Sequence, residues 1–332
     1  MAASFATALE RAWFSGASWV LLLLPLELLF IALSALRRFA YARGFLASYR
    51  APCAVVVVGN ILVGGTGKTP VVIALARGLH ERGYRVGVVC RGYGGQQQVE
   101  PRRVLAGQSD AKSVGDEALM IAEATGLPVV VSSDRAAAVR TLLEEGIDIA
   151  VSDDGLQHYA LQRDFEIAML DSARGLGNGH RLPVGPLREP PSRLTTVDWV
   201  LQRGGPDPAS ACPLRVVALE NLSSGEVRTV DSDTMPTFVH AVTGIGNPEA
   251  FFATLRELGM QVEPHIYPDH HQFSSGDLAP LREATVVMTA KDAVKCRPFA
   301  GPDHWVLQVD VELPAGLLEA VEQRAAAARS TA

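Results

Sequence analysis

Apolar residues fall along the chain in three patterns, and each predicts a different element. From Trp19 to Leu36 the apolar run is almost unbroken, interrupted only by Pro25, Glu27 and Ser34, and Arg37, Arg38 and Arg43 follow it. About 18 such residues is the short end of what crosses a ~30 Å hydrocarbon core, and arginines that follow place the rest of the chain in the cytoplasm. Residues 1–45 are therefore expected to form a membrane-anchoring helix. Glu27 is costly at mid-bilayer, so a helix lying in the interface or packed against the protein body competes evenly with a spanning one. Ala32-Leu33-Ser34 has the look of a cleavage site. The apolar region is nevertheless long, and its charge stands on the wrong side for a signal peptide.

In the second pattern, short β-branched runs alternate with helical periodicity. Runs at 55–58, 86–90, 129–131, 147–151, 167–170 and 199–201 predict strands, and 71–82, 116–124 and 134–145 predict helices between them. Strands apolar at nearly every position are buried on both faces, which is the signature of a parallel sheet with crossover helices. The fold class is α/β, with a P-loop NTPase-like doubly wound parallel sheet over 46–205.

The third pattern begins at Gly204-Gly205-Pro206-Asp207-Pro208, where composition shifts. Runs at 215–219 and 227–230 around Ser223-Ser224-Gly225 predict a hairpin. Residues 206–236 are expected to be an interdomain linker. Residues 237–332 are expected to form a second, smaller α/β domain. Its predicted strands are 238–242, 286–289 and 305–309, with helices at 248–258 and 278–283 and an Ala-rich terminal helix at 317–328.

A net charge of −6 argues against general nucleic-acid binding, which rests on a basic surface. Cys53, Cys90, Cys212 and Cys296 lie far apart without metal-ligand spacing, as buried free thiols in a reducing compartment do.

Candidate chemistry is concentrated after the strands. Gly64-Gly65-Thr66-Gly67-Lys68-Thr69-Pro70 follows the first strand and leads into a helix, as in a triphosphate cradle. The glycines let backbone N–H groups close on phosphate oxygens, Lys68 reaches the β- and γ-phosphates, and the Thr69 hydroxyl ligates Mg²⁺. ATP and Mg²⁺ are the cofactors this implies. Leu62 stands where the usual pattern has its first glycine, and the nearest earlier glycine is Gly59. Asp153 and Asp154 follow another strand, where an acid meets the metal beside such a loop.

Two clusters are ambiguous on local grounds. Asp269-His270-His271 can orient an imidazole for proton transfer or be loop polarity, and successive side chains diverge too far for an obvious zinc site. Asp116 reads locally as a first-turn acid favoured by the helix dipole. Leu182 to Pro190, containing Arg188 and Glu189, is a proline-rich loop of the sort that shapes a binding site.

Gly59-Asn60, Gly64 to Pro70, Arg91-Gly92-Tyr93-Gly94, Gly115-Asp116-Glu117, Asp153 to His158, Leu182 to Pro190, Gly244 to Pro248, Asp269-His270 and Lys291 to Lys295 occur in an order that resembles the tetraacyldisaccharide 4'-kinase family. The resemblance spans nearly the whole chain. It implies phosphorylation of the 4'-hydroxyl of a lipid disaccharide 1-phosphate by ATP, giving lipid IVA at the cytoplasmic face of a Gram-negative inner membrane. It further implies that Lys68 and Thr69 bind phosphate and Mg²⁺, that Asp153 or Asp154 with Glu189 completes the metal shell, and that Asp116 and His270 form the dyad that takes the hydroxyl proton. Membrane lipids are expected partners, and no protein partner is required. Leu156 departs from the family's usual phenylalanine. Arg91, Arg188 and Arg193 are candidates for holding the lipid phosphate. The competing class is a membrane-associated regulatory ATPase of the MinD or ParA type, which carries a lysine where Val63 stands.

Overall fold

The computed structural model describes residues 2–330 except 66, 93, 94, 96–98, 231, 232 and 234. Helix α1 (Ala2–Ser15) and a 3₁₀ segment (Ser18–Leu23) lead into α2 (Leu24–Ala42), which starts at Pro25 in its first turn. Ser18–Ala42 is long and apolar enough to cross a membrane by length and composition, with a mean hydropathy of 2.4. It is not free of the body, however. Glu27 is buried, accepting from the Arg181 N–H at 2.6 Å and facing His180 Nδ1 at 3.0 Å. Leu22, Leu26, Leu28, Leu29, Leu33 and Leu36 remain exposed.

The first sheet is built from β1 (Ala54–Gly59), β2 (Val86–Cys90), β3 (Arg102–Val104), β4 (Val129–Val131), β5 (Ile149–Asp153), β6 (Phe165–Asp171) and β7 (Trp199–Arg203). The spatial order is β3-β4-β2-β5-β1-β6-β7, and every pairing is parallel except that of β3 with β4. Helices α3 (Lys68–Glu81), α4 (Ala111–Val114), α5 (Asp116–Thr125) and α6 (Arg135–Leu143) connect these strands. The predicted strands are present because β1, β2, β4 and β5 are buried at every position, so their sequences alternate no polar face with an apolar one, and polar residues enter only at Ser152 and Asp153 where β5 reaches the site. Edge strand β3 is half-exposed and contains Arg102 and Arg103, so its pattern gave no strand signal.

The second sheet contains β8 (Leu214–Asn221), β9 (Val227–Thr229), β10 (Phe238–Thr243), β11 (Gln261–Ile266), β12 (Val286–Thr289) and β13 (His304–Val311), in the order β11-β10-β12-β13-β8-β9. Helices α7 (Pro248–Glu257), α8 (Ser275–Leu278) and α9 (Ala290–Cys296) accompany it, and α10 (Leu317–Ser330) ends the chain. Two expectations are corrected here. The hairpin placed in a linker is part of this sheet, because β8 pairs antiparallel with β13 and buries Leu219 in its core. The terminal helix packs on the first sheet instead, where Leu317, Val321 and Ala325 on one helical face join the core of β1 and α3.

The halves are joined by two chain crossings, β7 to β8 and β13 to α10. The crossings run side by side: Glu312 N–H donates to Pro213 O at 3.3 Å, and Arg215 pairs with Glu312. Helix α5 of the first half packs against α9 of the second. All four cysteines are buried and free, and burial pushes the Cys53 and Cys212 thiols up to about 11 and that of Cys296 to about 12.

Candidate active site between the two sheets

The phosphate-type loop leaves the carboxyl end of β1, an interior strand between β5 and β6, where ligands of doubly wound folds bind. Gly64 and Gly67 have φ of 101° and 78°, a region strained for any residue with a side chain. A Cβ at Gly64 would also stand 3.0 Å from Arg174 Nη1. Thr66, expected among the phosphate contacts, lies outside the described residues, as do Tyr93 and Gly94. Gly59 has a packing reason, since a Cβ there would come 2.7 Å from Leu156 Cγ.

The proline-rich loop 182–190 braces this cradle from outside. Val63 N–H donates to Pro186 O at 2.8 Å, Arg188 N–H to Ile61 O at 2.7 Å, and Arg188 Nε to Leu62 O at 2.9 Å. Asn60 donates to Gly64 O at 3.2 Å and accepts from Arg188.

Lys68 Nζ stands 3.5 Å from Asp154 Oδ1, and Arg188 grips both Asp154 oxygens at 3.2 and 3.3 Å. Burial would push the Asp154 carboxyl up, but Lys68 and Arg188 outweigh it and hold the group below the usual carboxylate range. Asp153 behaves in the opposite way. Its Oδ1 is buried with no hydrogen-bond partner, and burial, reinforced by Glu117, pushes the group up to about 7. A buried carboxylate oxygen with nothing bound to it fits a hard cation, which compensates the charge where no protein donor does. Thr69 lies in the first turn of α3, where the expected ligand hydroxyl belongs.

No cluster of three or more His, Cys, Asp and Glu side chains close enough to hold a metal occurs among the described residues. Glu189, expected to complete the metal shell, is buried beside this site. Its oxygens are taken by Gln157 Nε2 at 2.7 Å and Tyr159 OH at 2.9 Å, with Arg193 at 3.3 Å and Arg38 at 3.9 Å. Arg193, a candidate for lipid phosphate, is spent on Glu166 and Glu189.

Across the cleft, Asp116 is the first residue of α5 and 3% exposed. His270 belongs to the loop after β11, on the other sheet, and its Nδ1 lies 3.2 Å from Asp116 Oδ2. Lys291 Nζ lies 3.1 Å from His270 Nε2, 3.4 Å from Asp269 and 3.8 Å from Glu117. This network assigns the proton of neutral His270 to Nδ1, donating to Asp116, and leaves Nε2 to accept. The hydrogen bond to Asp116 raises the His270 pKa above its ordinary value. Burial raises Asp116, but the His270 hydrogen bond and the charges of Lys291, His270 and Lys295 bring it below the usual range. His271 diverges as expected, stacking on Tyr267 with ring centroids 4.7 Å apart.

Among the described residues, Asp154 and His270 are the two non-glycine residues with positive φ, at 48° and 59°. Both sit in the site. Strained backbone of this kind persists only where surrounding structure holds it, commonly at functional positions.

Beside Asp154 a cavity of about 360 Å³ opens between α2 and the first sheet. Phe30, Ser34, Arg37 and Arg38 of α2 form one wall, and Arg91, Arg135, Arg181, Arg188 and Glu189 contribute to the rest. Sequence reasoning missed several members of the site. Gln157 links Arg188 to Glu189, and Arg174 reaches Gly65 O. Lys291 and Lys295 stand in a recognised motif without an assigned part, and only their i, i+4 spacing on one helix marked them.

Residues 19–326 match the family described as Tetraacyldisaccharide-1-P 4'-kinase. A tetraacyldisaccharide 4'-kinase of Pseudomonas aeruginosa (strain LESB58) is 47% identical over 311 residues, 92% of this chain and 93% of its own. That of Azotobacter vinelandii (strain DJ / ATCC BAA-1303) is 49% identical over 311 residues, with the same coverage. The crystal structure of LpxK from Aquifex aeolicus in complex with ATP matches with a TM-score of 0.77 and 26% identity, covering 92% of this chain and 99% of that one.

Proposed function

The chain belongs to the tetraacyldisaccharide-1-P 4'-kinase family, and from that premise we propose how its residues divide the work. It is a lipid kinase that transfers a phosphoryl group from ATP to the 4'-hydroxyl of a tetraacyldisaccharide 1-phosphate, giving lipid IVA in lipid A biosynthesis. The regulatory ATPase alternative is not favoured.

Gly64, Gly65, Thr66 and Gly67 cradle the triphosphate, and Lys68 leaves Asp154 for the β- and γ-phosphate oxygens. Thr69, Asp153 and Asp154 would hold Mg²⁺, which when bound neutralises charge on the bridging phosphates. Glu189, which lines the acceptor cavity, would complete that metal shell by exchanging a hydrogen-bond partner for the cation. The arginines there suit an anionic headgroup, and Arg188 and Arg91 are the better placed of the expected phosphate binders.

Asp116 and His270 receive the hydroxyl proton as the new O–P bond forms and the bond to ADP breaks. A loose transition state asks little of the base, which suits a carboxylate held below its ordinary pKa. The observation that carries this reading is the Asp116–His270 hydrogen bond, made between two sheets at the mouth of the phosphate cradle.

Helix α2 is read as lying in the cytoplasmic interface of the inner membrane. The buried Glu27 supports this, because docking on Arg181 and His180 keeps one helix face on the protein while its leucines face outward. The halves are read as a P-loop kinase unit and a smaller unit whose rotation closes the cleft.

Transfer of labelled phosphate from ATP to tetraacyldisaccharide 1-phosphate in detergent micelles tests the assignment. Asp116→Ala is expected to lose about 10²–10⁴-fold in kcat while still binding ATP. Equal rates for the two enzymes would remove Asp116 from the chemistry.

A further inference from the structure

The reaction as described makes no use of Lys295, yet Lys295 is the most deeply placed cation near the dyad. Its side chain is 3% exposed; its Nζ lies 2.9 Å from Asp292 Oδ1 and 3.8 Å from Asp116 Oδ2, and 5.2 Å over the Phe273 ring. Asp292 is fully buried and its other oxygen is saturated, accepting from Thr243 Oγ1 at 3.1 Å, Gly244 N–H at 3.0 Å and Thr289 Oγ1 at 2.8 Å. The second sheet thus seats one buried cation against a carboxylate of the first. Burying an ion pair costs several kcal/mol per ion, and apolar side chains of similar size often stabilise as well or better. Stability alone therefore does not account for this arrangement.

We propose that Lys295 is a positioning residue for phosphoryl transfer: seated by Asp292, it fixes the orientation and field of the Asp116 carboxylate, so that the dyad is complete only when the two halves are docked through α5 and α9. The inference rests on reading Asp116 and His270 as the proton-accepting pair. Lys295 and His270 approach the same oxygen, Oδ2, while Oδ1 accepts the Glu117 N–H at 3.1 Å. The charged groups around that oxygen come from each neighbouring element. Glu117 comes from α5, Asp269 and His270 from the loop after β11, and Lys291, Asp292 and Lys295 from α9; Lys68 of α3 acts on Glu117.

Two substitutions in the full-length enzyme separate a field effect from a structural one because they act with opposite sign. Lys295→Met removes a cation and leaves Asp292 its three donors, whereas Asp292→Asn removes an anion and leaves Lys295 facing the Asp116 carboxylate alone. The measurements are the acid limb of kcat against pH and the His270 imidazole titration by NMR, its signal identified by loss in His270→Ala.

Lys295→Met is expected to lower kcat about tenfold at neutral pH and to move both the limb and the imidazole titration upward by roughly one pH unit. Asp292→Asn is expected to move them downward, and carries the test by itself should Lys295→Met not fold. Unmoved titrations, or shifts in the same direction for both variants, would overturn the inference. An Asp116→Ala enzyme as active as wild type would instead sink the dyad reading beneath it.

Discussion

The two ends of the cleft hold their charges in different ways. At the phosphate end, Lys68, Asp154 and Arg188 form pairs that water reaches, with side chains 14%, 36% and 23% exposed. At the dyad end, Asp116, Asp292 and Lys295 are 3%, 0% and 3% exposed. Exposed pairs are worth little and are readily exchanged for a ligand, whereas a buried pair deprived of one member leaves an uncompensated charge. The pairs at the phosphate end can therefore be exchanged for a ligand at little cost. The dyad end is permanent framework.

Removing divalent cations should have the largest effect on this contrast. Excess EDTA is expected to suppress transfer by at least about 10³-fold while leaving the melting temperature of the nucleotide-free protein unchanged. Transfer that persisted would show that Asp153 needs no cation.

The next comparison sets one substitution at each end. Lys68→Met should lower kcat about 10²–10³-fold and change unfolding free energy by less than ~1 kcal/mol, since Arg188 still holds Asp154. Asp292→Ala should do the reverse to stability, costing about 3–5 kcal/mol by denaturant titration. Comparable stability losses at both ends would erase the distinction drawn between them.

Glu27→Leu is expected to cost about 1–3 kcal/mol, because the Arg181 N–H loses its buried acceptor, and to raise KM for the lipid with ATP affinity unchanged. A normal lipid KM would separate the docking of α2 from acceptor binding.

The smallest effect concerns pH. His270 has a pKa raised above 6.5 by Asp116, so its contribution to stability is fully present below pH 6.5 and is lost as pH rises through the raised value. Asp116→Asn should flatten that slope in thermal melts taken upward from pH 6. A slope that survived would place its origin in another histidine.

Legibility from the sequence followed burial. Strands β1, β2, β4 and β5 were readable because both of their faces are covered and their residues are apolar or glycine up to Ser152 and Asp153 at the end of β5. Strand β11 was not, since an exposed edge imposes no apolar pattern and tolerates Pro264. The periodicity of α10 marked a helix but carries no record of which sheet its stripe meets. Lys68, Thr69, Asp153 and Asp154 follow strands whose ends converge, so topology gathered them. Asp116 and His270 lie on different sheets, and no local signal pairs them; the family resemblance did. The partners of Glu189, namely Gln157, Tyr159 and Arg193, were not legible either, because they are set by packing between distant loops.

Helix α10 returns to the first core after the second sheet is complete, which makes the second half an insertion held at both of its ends. The entry and exit strands touch through Pro213 and Glu312. An insert fixed at one such paired crossing is constrained at a single line, so the surface it presents to the first half is set by where that line lies. That constraint keeps His270 of the second half in register with Asp116 of the first, 3.2 Å apart, without any covalent link between the two loops.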